Sequence, residues 1–430
     1  MKSNVRTITI CATAVLLLSG LGLLIIPSFA EGAYTGTVTI NSDGTVSPSD
    51  APIDRQGKVY KLTDDIDGML VVLRSNIEVN GMGYTITGDL SDYGIYLDNV
   101  NGVTVKNFYV YYAYMGIRLD TSCGCTIKDN TVANSRNMGI GLWYYSNDNT
   151  VKDNYLTGNN AGVGVIYYST ENIVKDNMVV SNGYGLDTFR SDYNMFKDNT
   201  VTSHSRWGIG FRFSANNVAR NNYVDTTGGS GITIYYGTGG HTVQDNSIMN
   251  CGWAGVELYY EGDIMVKDNE IYDTYIGVGS WFTWDISIIS NYITGSIVPG
   301  VYIDTATTNL VHGNEIVDNG FGVYFWNSDE YLDMDNTITC NIIQDNDYGF
   351  YTDDVTVGPW IAYDCGGNTI HHNYIIDNDV QVYEGYDNFW DNGKGEGNYW
   401  SDYEGEDTDH DGVGDTDLPH NGVDYYPLMY

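Results

Sequence analysis

Glycines followed by an apolar residue recur along most of this chain, at Gly94, Gly116, Gly139, Gly162, Gly185, Gly208, Gly231, Gly255, Gly277, Gly300, Gly322 and Gly349. Their spacing is 22 to 24 residues, with a last step of 27. A second column keeps step: Lys128-Asp129-Asn130, Lys152-Asp153-Asn154, Lys175-Asp176-Asn177, Lys197-Asp198-Asn199, Gln244-Asp245-Asn246 and Lys267-Asp268-Asn269, with Asn222, Asn291 and Asn314 in the same place. Two columns in register mean that one supersecondary unit is stacked many times. Around each glycine the side chains alternate, as in Gly139-Ile140-Gly141-Leu142, which is the period of a strand, and no stretch carries the period of a helix. The chain is therefore predicted to be all-β, a right-handed parallel β-helix solenoid of about twelve or thirteen coils. Seven prolines against 51 glycines and 38 tyrosines suit a coil of short strands and tight turns.

Residues 1–30 fall outside that pattern. Lys2 and Arg6 precede an apolar run from Ile8 to Ile26, and Pro27-Ser28-Phe29-Ala30 follows. This is the layout of a signal peptide cut after Ala30, with an uncleaved anchor as the alternative. Either way the body is exported: secreted, extracellular or at the cell surface, or periplasmic in a two-membrane cell, with no membrane insertion of the mature chain. Residues 31–65 are expected to cap one end, 66–385 to form the repeats and 386–430 to cap the other, because open solenoid ends expose strand edges.

Losing Lys2 and Arg6 takes the formal charge from -37 to -39. Such a surface excludes nucleic acid as a partner. The five cysteines of the body are an odd number without framework spacing, and Cys125 and Cys251 lie too many coils apart to bond. The Asn column has a structural explanation: each amide donates to the next coil and satisfies turn carbonyls.

Tyr60-Lys61-Leu62-Thr63-Asp64-Asp65-Ile66 and Tyr93-Gly94-Ile95-Tyr96-Leu97 at the start, with Gly397-Asn398-Tyr399-Trp400-Ser401-Asp402-Tyr403 and Asp424-Tyr425-Tyr426-Pro427-Leu428-Met429 at the end, resemble the NosD-like β-helix proteins common among archaeal surface proteins. The resemblance implies the fold. For function it leaves open carbohydrate binding, sugar hydrolysis, lysis or epimerisation, or an accessory part in maturing a copper centre.

Three constellations bear on that choice. Asp407, Asp409, Asp411, Val413, Asp415 and Asp417 sit at alternating positions around Gly412 in the order of a calcium loop, although Leu418 stands where an EF-hand has its bidentate Glu. A structural Ca2+ tying the C-terminal cap to the rod is the expectation. Four residues past the repeat glycine stand Trp143, Phe189, Tyr235, Tyr259, Trp281 and Trp326, beside a floor of Gly141, Gly164, Gly210 and Gly279 two residues past it. Such a stripe suits stacking of sugar rings, so the expected partner is a polysaccharide or cell-envelope glycan. Asp187, Arg190 and Arg212, with Arg206, Arg220 and His204 nearby in sequence, are the candidates for catalysis on an acidic glycan. Asp187 and Glu257 share the outward column but are three coils apart, too far for a glycosidase pair. His371-His372 in a strand would point to opposite faces, and no copper motif is read from it. Three readings stand: glycan binding along an aromatic groove, an enzyme on acidic glycans, and an accessory or structural envelope protein.

Overall fold

The computed structural model describes residues 33–327, 334–352 and 365–429. The segment read as a signal peptide lies outside them. The described secondary structure is all strand. Each coil contributes three short strands, as in Met138–Trp143 on the glycine column, Thr150–Lys152 ending on the lysine column, and Tyr155–Thr157 after the Asn. Every one pairs in parallel with its equivalent a coil away: Gly141 with Gly164, Lys152 with Lys175, Leu156 with Val179. The three stacks form a glycine face, a lysine face and a third, shorter face.

The lysine-face stack runs through fourteen parallel strands, from Val59–Leu62 to Thr369–His371. That exceeds the twelve or thirteen coils read from the repeat, because the first strands, Val59–Leu62 and Glu78–Asn80, precede the first repeat glycine and leave no mark in the glycine column. Tyr34–Ile40 pairs in parallel with Ile66–Val72, and Ile53–Gln56 with Val59–Leu62 makes an antiparallel hairpin. Among the described residues no helix is long and apolar enough to cross a membrane.

Inward positions stack into apolar ladders. On the glycine face Ile140, Val163, Leu186, Ile209, Ile232, Val256 and Val278 are all fully buried. The repeat glycine has no room for a side chain: a Cβ on Gly185 would lie 2.2 Å from the carbonyl oxygen of Gly208 and 2.5 Å from Val201 Cγ1.

Between the lysine and third faces the chain turns on one residue in the left-handed region, Asp129, Asp153 and Asp176 each having φ 55. Asp and Asn tolerate that conformation better than other side chains do. The Asn that follows is buried, and its amide is the hinge of the coil. Asn154 Nδ2 donates to Asn177 Oδ1 at 3.0 Å and to the Ile127 carbonyl at 2.9 Å, while its own Oδ1 accepts from the N–H of Asn130 at 3.0 Å. The ladder continues coil by coil to Asn398, whose N–H donates to the buried Asp424 carboxylate at 2.9 Å. Two further corners carry shorter ladders of the same kind, Asn149–Asn172–Asn194–Asn217 and Asn159–Asn182. Cys123, Cys125, Cys251 and Cys340 are free thiols.

Candidate functional site on the glycine face

Parallel register carries the outward positions into straight columns. Trp143, Phe189, Tyr235, Tyr259, Trp281 and Trp326 fall in one of them, interrupted by Ile166, Arg212 and Asp304. Two residues earlier runs the column of Gly141, Gly164, Asp187, Gly210, Thr233, Glu257 and Gly279. The glycines are a floor on which rings lie. A Cβ on Gly279 would be 2.1 Å from the Trp281 ring, one on Gly141 2.8 Å from Trp143 Nε1, and one on Gly210 2.6 Å from Trp207 Nε1. The six predicted rings are consequently half-buried.

The more exposed aromatics stand one residue further on, in a column sequence reasoning missed. Tyr144, Phe213, Tyr236 and Tyr260 occupy left-handed turn positions with φ between 46 and 52 and are 41 to 48% exposed. They stack across coils: Tyr144 on Tyr167 at 5.3 Å, Phe213 on Tyr236 at 5.5 Å, Tyr236 on Tyr260 at 5.4 Å and Tyr260 on Phe282 at 4.5 Å. The signal was present as doubled aromatics, Trp143-Tyr144, Tyr235-Tyr236, Tyr259-Tyr260 and Trp281-Phe282. Because these rings face each other along the stack, their edges rather than their faces meet solvent. Concave space lies beside the half-buried ring of Trp281, where Trp253, Ile276, Trp281, Val298, Pro299, Tyr302 and Tyr324 line a hollow of about 200 Å³.

Asp187, Arg190 and Arg212 come together around Phe189. Arg212 Nε donates to Asp187 Oδ1 at 2.9 Å and Nη2 donates to Oδ2, a bidentate pair with the carboxylate buried. Burial pushes the Asp187 carboxyl up from its ordinary value, and Arg212 opposes the shift. The Arg212 guanidinium also lies over Phe189 at 5.3 Å and Trp207 at 5.2 Å, Arg190 over Phe189 at 5.4 Å, and Arg206 over Tyr184 at 4.7 Å, with Tyr184 and Trp207 rings 4.4 Å apart. The result is an alternating stripe across the face, Arg190–Phe189–Arg212–Trp207–Tyr184–Arg206. Its two ends are exposed arginines that have no carboxylate partner among the described residues. Arg220 does not join it. That residue occupies the lysine column, paired with Asp245 at 3.2 Å. Nor does His204, which is buried at a corner accepting from the Asn182 N–H at 3.2 Å, with its pKa pushed down to about 4 by burial.

Glu257 lies three register steps from Asp187, as the spacing implied, and accepts from Ser230 Oγ at 2.6 Å and Thr233 Oγ1 at 3.1 Å. Asp304, between Trp281 and Trp326, is buried, and desolvation raises its pKa to about 6.

In the C-terminal loop the carboxylates of Asp407, Asp409 and Asp415 lie within 4.8 Å of one another. Asp411 and Asp417 stand outside that group, and Asp411 Oδ1 instead accepts from the Val413 N–H at 2.9 Å.

On the lysine face the structure corrects one expectation. His371 and His372 do not point to opposite faces: His372 sits at the left-handed turn position, φ 56, and the two Nδ1 atoms are 2.6 Å apart. Burial, with His372 beside it, lowers the pKa of His371.

Two family models match the sequence, a right handed beta helix region over residues 93–246 and the periplasmic copper-binding protein (NosD) over residues 254–405. No curated protein matches it. Among solved structures, the A-module of Azotobacter vinelandii mannuronan C-5 epimerase AlgE4 is similar at 16% identity and a TM-score of 0.52, over 74% of this chain and 90% of that one. The A-module of Azotobacter vinelandii mannuronan C-5 epimerase AlgE6 is similar at 15% identity and a TM-score of 0.50, over 75% and 89%. At such identities the likeness is one of fold.

Proposed function

From the premise that this chain belongs to the NosD-like right-handed β-helix proteins, we propose that it is an exported protein that binds polysaccharide along its glycine face. The observation that carries the reading is the hollow at Trp253, Trp281, Tyr302 and Tyr324, an aromatic-walled recess with Ile276, Val298 and Pro299 as its apolar remainder. Apolar walls with a few polar groups are the ordinary make-up of a ligand site. The β-helix modules it resembles are named for action on mannuronan, which is in keeping with a glycan on this face. The stripe from Arg190 to Arg206 adds a preference: in a chain of net charge -37, two guanidiniums with no carboxylate partner among the described residues, beside stacked rings, favour an acidic sugar. The Asp187 carboxylate is engaged by Arg212 on both oxygens, so binding, rather than catalysis from that carboxylate, is the reading we favour.

Calorimetric titration with neutral and uronate oligosaccharides of increasing length tests this. Affinity should rise with chain length, Trp281→Ala should weaken both classes, and Arg190→Ala with Arg206→Ala should weaken the acidic class alone. If folded wild-type protein binds neither class, the proposal fails. We also propose that Asp407, Asp409 and Asp415 hold a structural Ca2+, supported by the convergence of their carboxylates. The copper-binding description of the family asks for nitrogen and sulfur ligands; among the described residues His371 and His372 bring two ring nitrogens together, and no third ligand group joins them.

A further inference from the structure

At the corner where the glycine face gives way to the lysine face, two consecutive coils carry one residue more than the coils on either side of them. The strand column Asp120, Trp143, Ile166 and Phe189 is in register from coil to coil. So is the serine column that follows it: the N–H of Ser122 donates to Ser146 Oγ, that of Ser146 to Ser169 Oγ and that of Ser169 to Ser191 Oγ, each at 3.2 Å. Between the two columns the outer coils hold a single residue, Thr121 or Arg190, and the inner coils hold Tyr144-Tyr145 and Tyr167-Tyr168. Both added residues are tyrosines. All four tyrosines lie in the left-handed region, with φ 46, 59, 53 and 65. Bulky side chains adopt that conformation at a cost, and such costs collect at sites that use them.

The added pair differs from the other stacked tyrosines in its freedom. Tyr145 is 57% exposed and Tyr168 53%, their rings are 5.5 Å apart and nearly parallel, and among the described residues no other ring packs on either. Tyr144 and Tyr167 are stacked too, but Trp143 meets both edge-on at 5.7 and 5.6 Å. Tyr236 and Tyr260 stack on each other with Phe213 and Phe282 on their outer faces. Tyr351, stacked on Tyr383, is flanked by Phe321, Tyr324 and Tyr348. A ring caged in this way cannot turn edge to edge with its neighbour, whereas Tyr145 and Tyr168 can. Holding two reactive groups side by side makes their combination effectively unimolecular, and one-electron oxidation makes phenols reactive toward each other.

We propose that Tyr145 and Tyr168 are an oxidative modification site, at which the two coils are joined by a dityrosine bond. Each phenol gives up one electron and one proton, the two phenoxyl radicals form a bond between ring carbons ortho to oxygen, and each ring regains aromaticity by passing its ortho hydrogen to that oxygen. In net the pair loses two electrons and two protons, which reduce one hydrogen peroxide to two waters through a peroxidase-class oxidant. The link ties one coil to the next and restricts the unfolded chain, as a cross-link does. The assignment does not depend on the glycan reading.

The test treats the full chain, at low concentration, with a peroxidase and limiting hydrogen peroxide, and maps the monomer by mass spectrometry after trypsin, which cuts at Lys152 between the two tyrosines. The wild-type monomer should become lighter by two hydrogen atoms, gain dityrosine fluorescence, yield a linked peptide pair holding Tyr145 and Tyr168, and melt at a higher temperature than before oxidation. Tyr145→Phe and Tyr168→Phe should each lose the linked pair and the rise in melting temperature at unchanged circular dichroism, and Tyr144→Phe should keep both. Wild type that forms no dityrosine, forms it only between molecules or forms it chiefly at another pair overturns the site, as does a link that survives Tyr145→Phe. A Tyr145–Tyr168 link that leaves the melting temperature unchanged overturns its part as a staple between coils.

Discussion

A buried asparagine in this rod is bonded on every side, and that makes single side chains unusually costly to remove. Asn222 Nδ2 donates to the Phe196 carbonyl at 2.9 Å and to Asn246 Oδ1 at 3.0 Å, and its Oδ1 accepts from both the backbone N–H and the amide of Asn199. Asn222→Ala strands two donors of Asn199 and one buried carbonyl, so it should cost about 2–4 kcal/mol, read from urea unfolding. Asp304 behaves in the opposite sense. Its carboxyl is buried with no cation beside it among the described residues, and its folded-state pKa of about 6 lies above the ordinary carboxylate value. Its contribution is therefore fully present below about pH 4 and is lost as pH rises through about 6. Asp304→Asn should hold its stability across that window, whereas the wild type should lose on the order of 2–3 kcal/mol relative to it between pH 4 and pH 7.5. Parallel pH series of denaturant unfolding check this, and coincident slopes for the two proteins would refute it.

At the scale of one coil, two glycines of the same strand have different work. A Cβ at Gly162 would meet Val179 Cγ1 at 2.3 Å and the Gly185 carbonyl oxygen at 2.7 Å, both held in the stack. At Gly164 it would meet Met138 Sδ at 2.5 Å and Cε at 2.7 Å, the free end of a flexible chain. Gly162→Ala should therefore reach or exceed the roughly 1–3 kcal/mol of ordinary overpacking, while Gly164→Ala should cost less than about 1 kcal/mol. Similar melting temperatures for the two variants would refute the distinction. The coil was legible in the sequence because its period, its strand alternation and its Asn column all repeat. What repeated less cleanly was lost. Arg220 reads as one of an arginine cluster until Arg220-Asn221-Asn222 is set against Lys197-Asp198-Asn199, which places it on the lysine face. His371-His372 reads as a strand pair, although His372 aligns with Asp129 and therefore with a turn that redirects its side chain. Trp253, which helps to line the aromatic hollow, sits two residues before its repeat glycine, outside both columns that the spacing singled out.

Over the whole molecule, a stack of coils that each touch only their neighbours is as stable as its ends allow, since unpaired terminal coils can open and pass the loss along. The C-terminal end is closed by chain rather than by another coil. Tyr399–Trp400 pairs with Tyr374 and Ile375, and Asp424 ends the Asn ladder while accepting from Trp400 Nε1 at 2.8 Å. The acidic loop is stitched to the same closing segment, Gly414 N–H to the Pro427 carbonyl at 2.8 Å and Met429 N–H to the Gly412 carbonyl at 2.9 Å. An ion held by Asp407, Asp409 and Asp415 would therefore fix the closing segment and, through it, the last rung of the ladder. A ligand bound to the folded state at a hundred times its dissociation constant adds about 2.7 kcal/mol. Calcium should accordingly raise the melting temperature of the wild type. Asp407→Ala with Asp415→Ala should abolish that rise, and amide exchange in Tyr399–Trp400 and Tyr374–Ile376 should accelerate before exchange in the central coils when calcium is withdrawn. Identical melting in chelator and in calcium would leave the loop an acidic turn and place the stability of the cap in Asp424 and Trp400 alone.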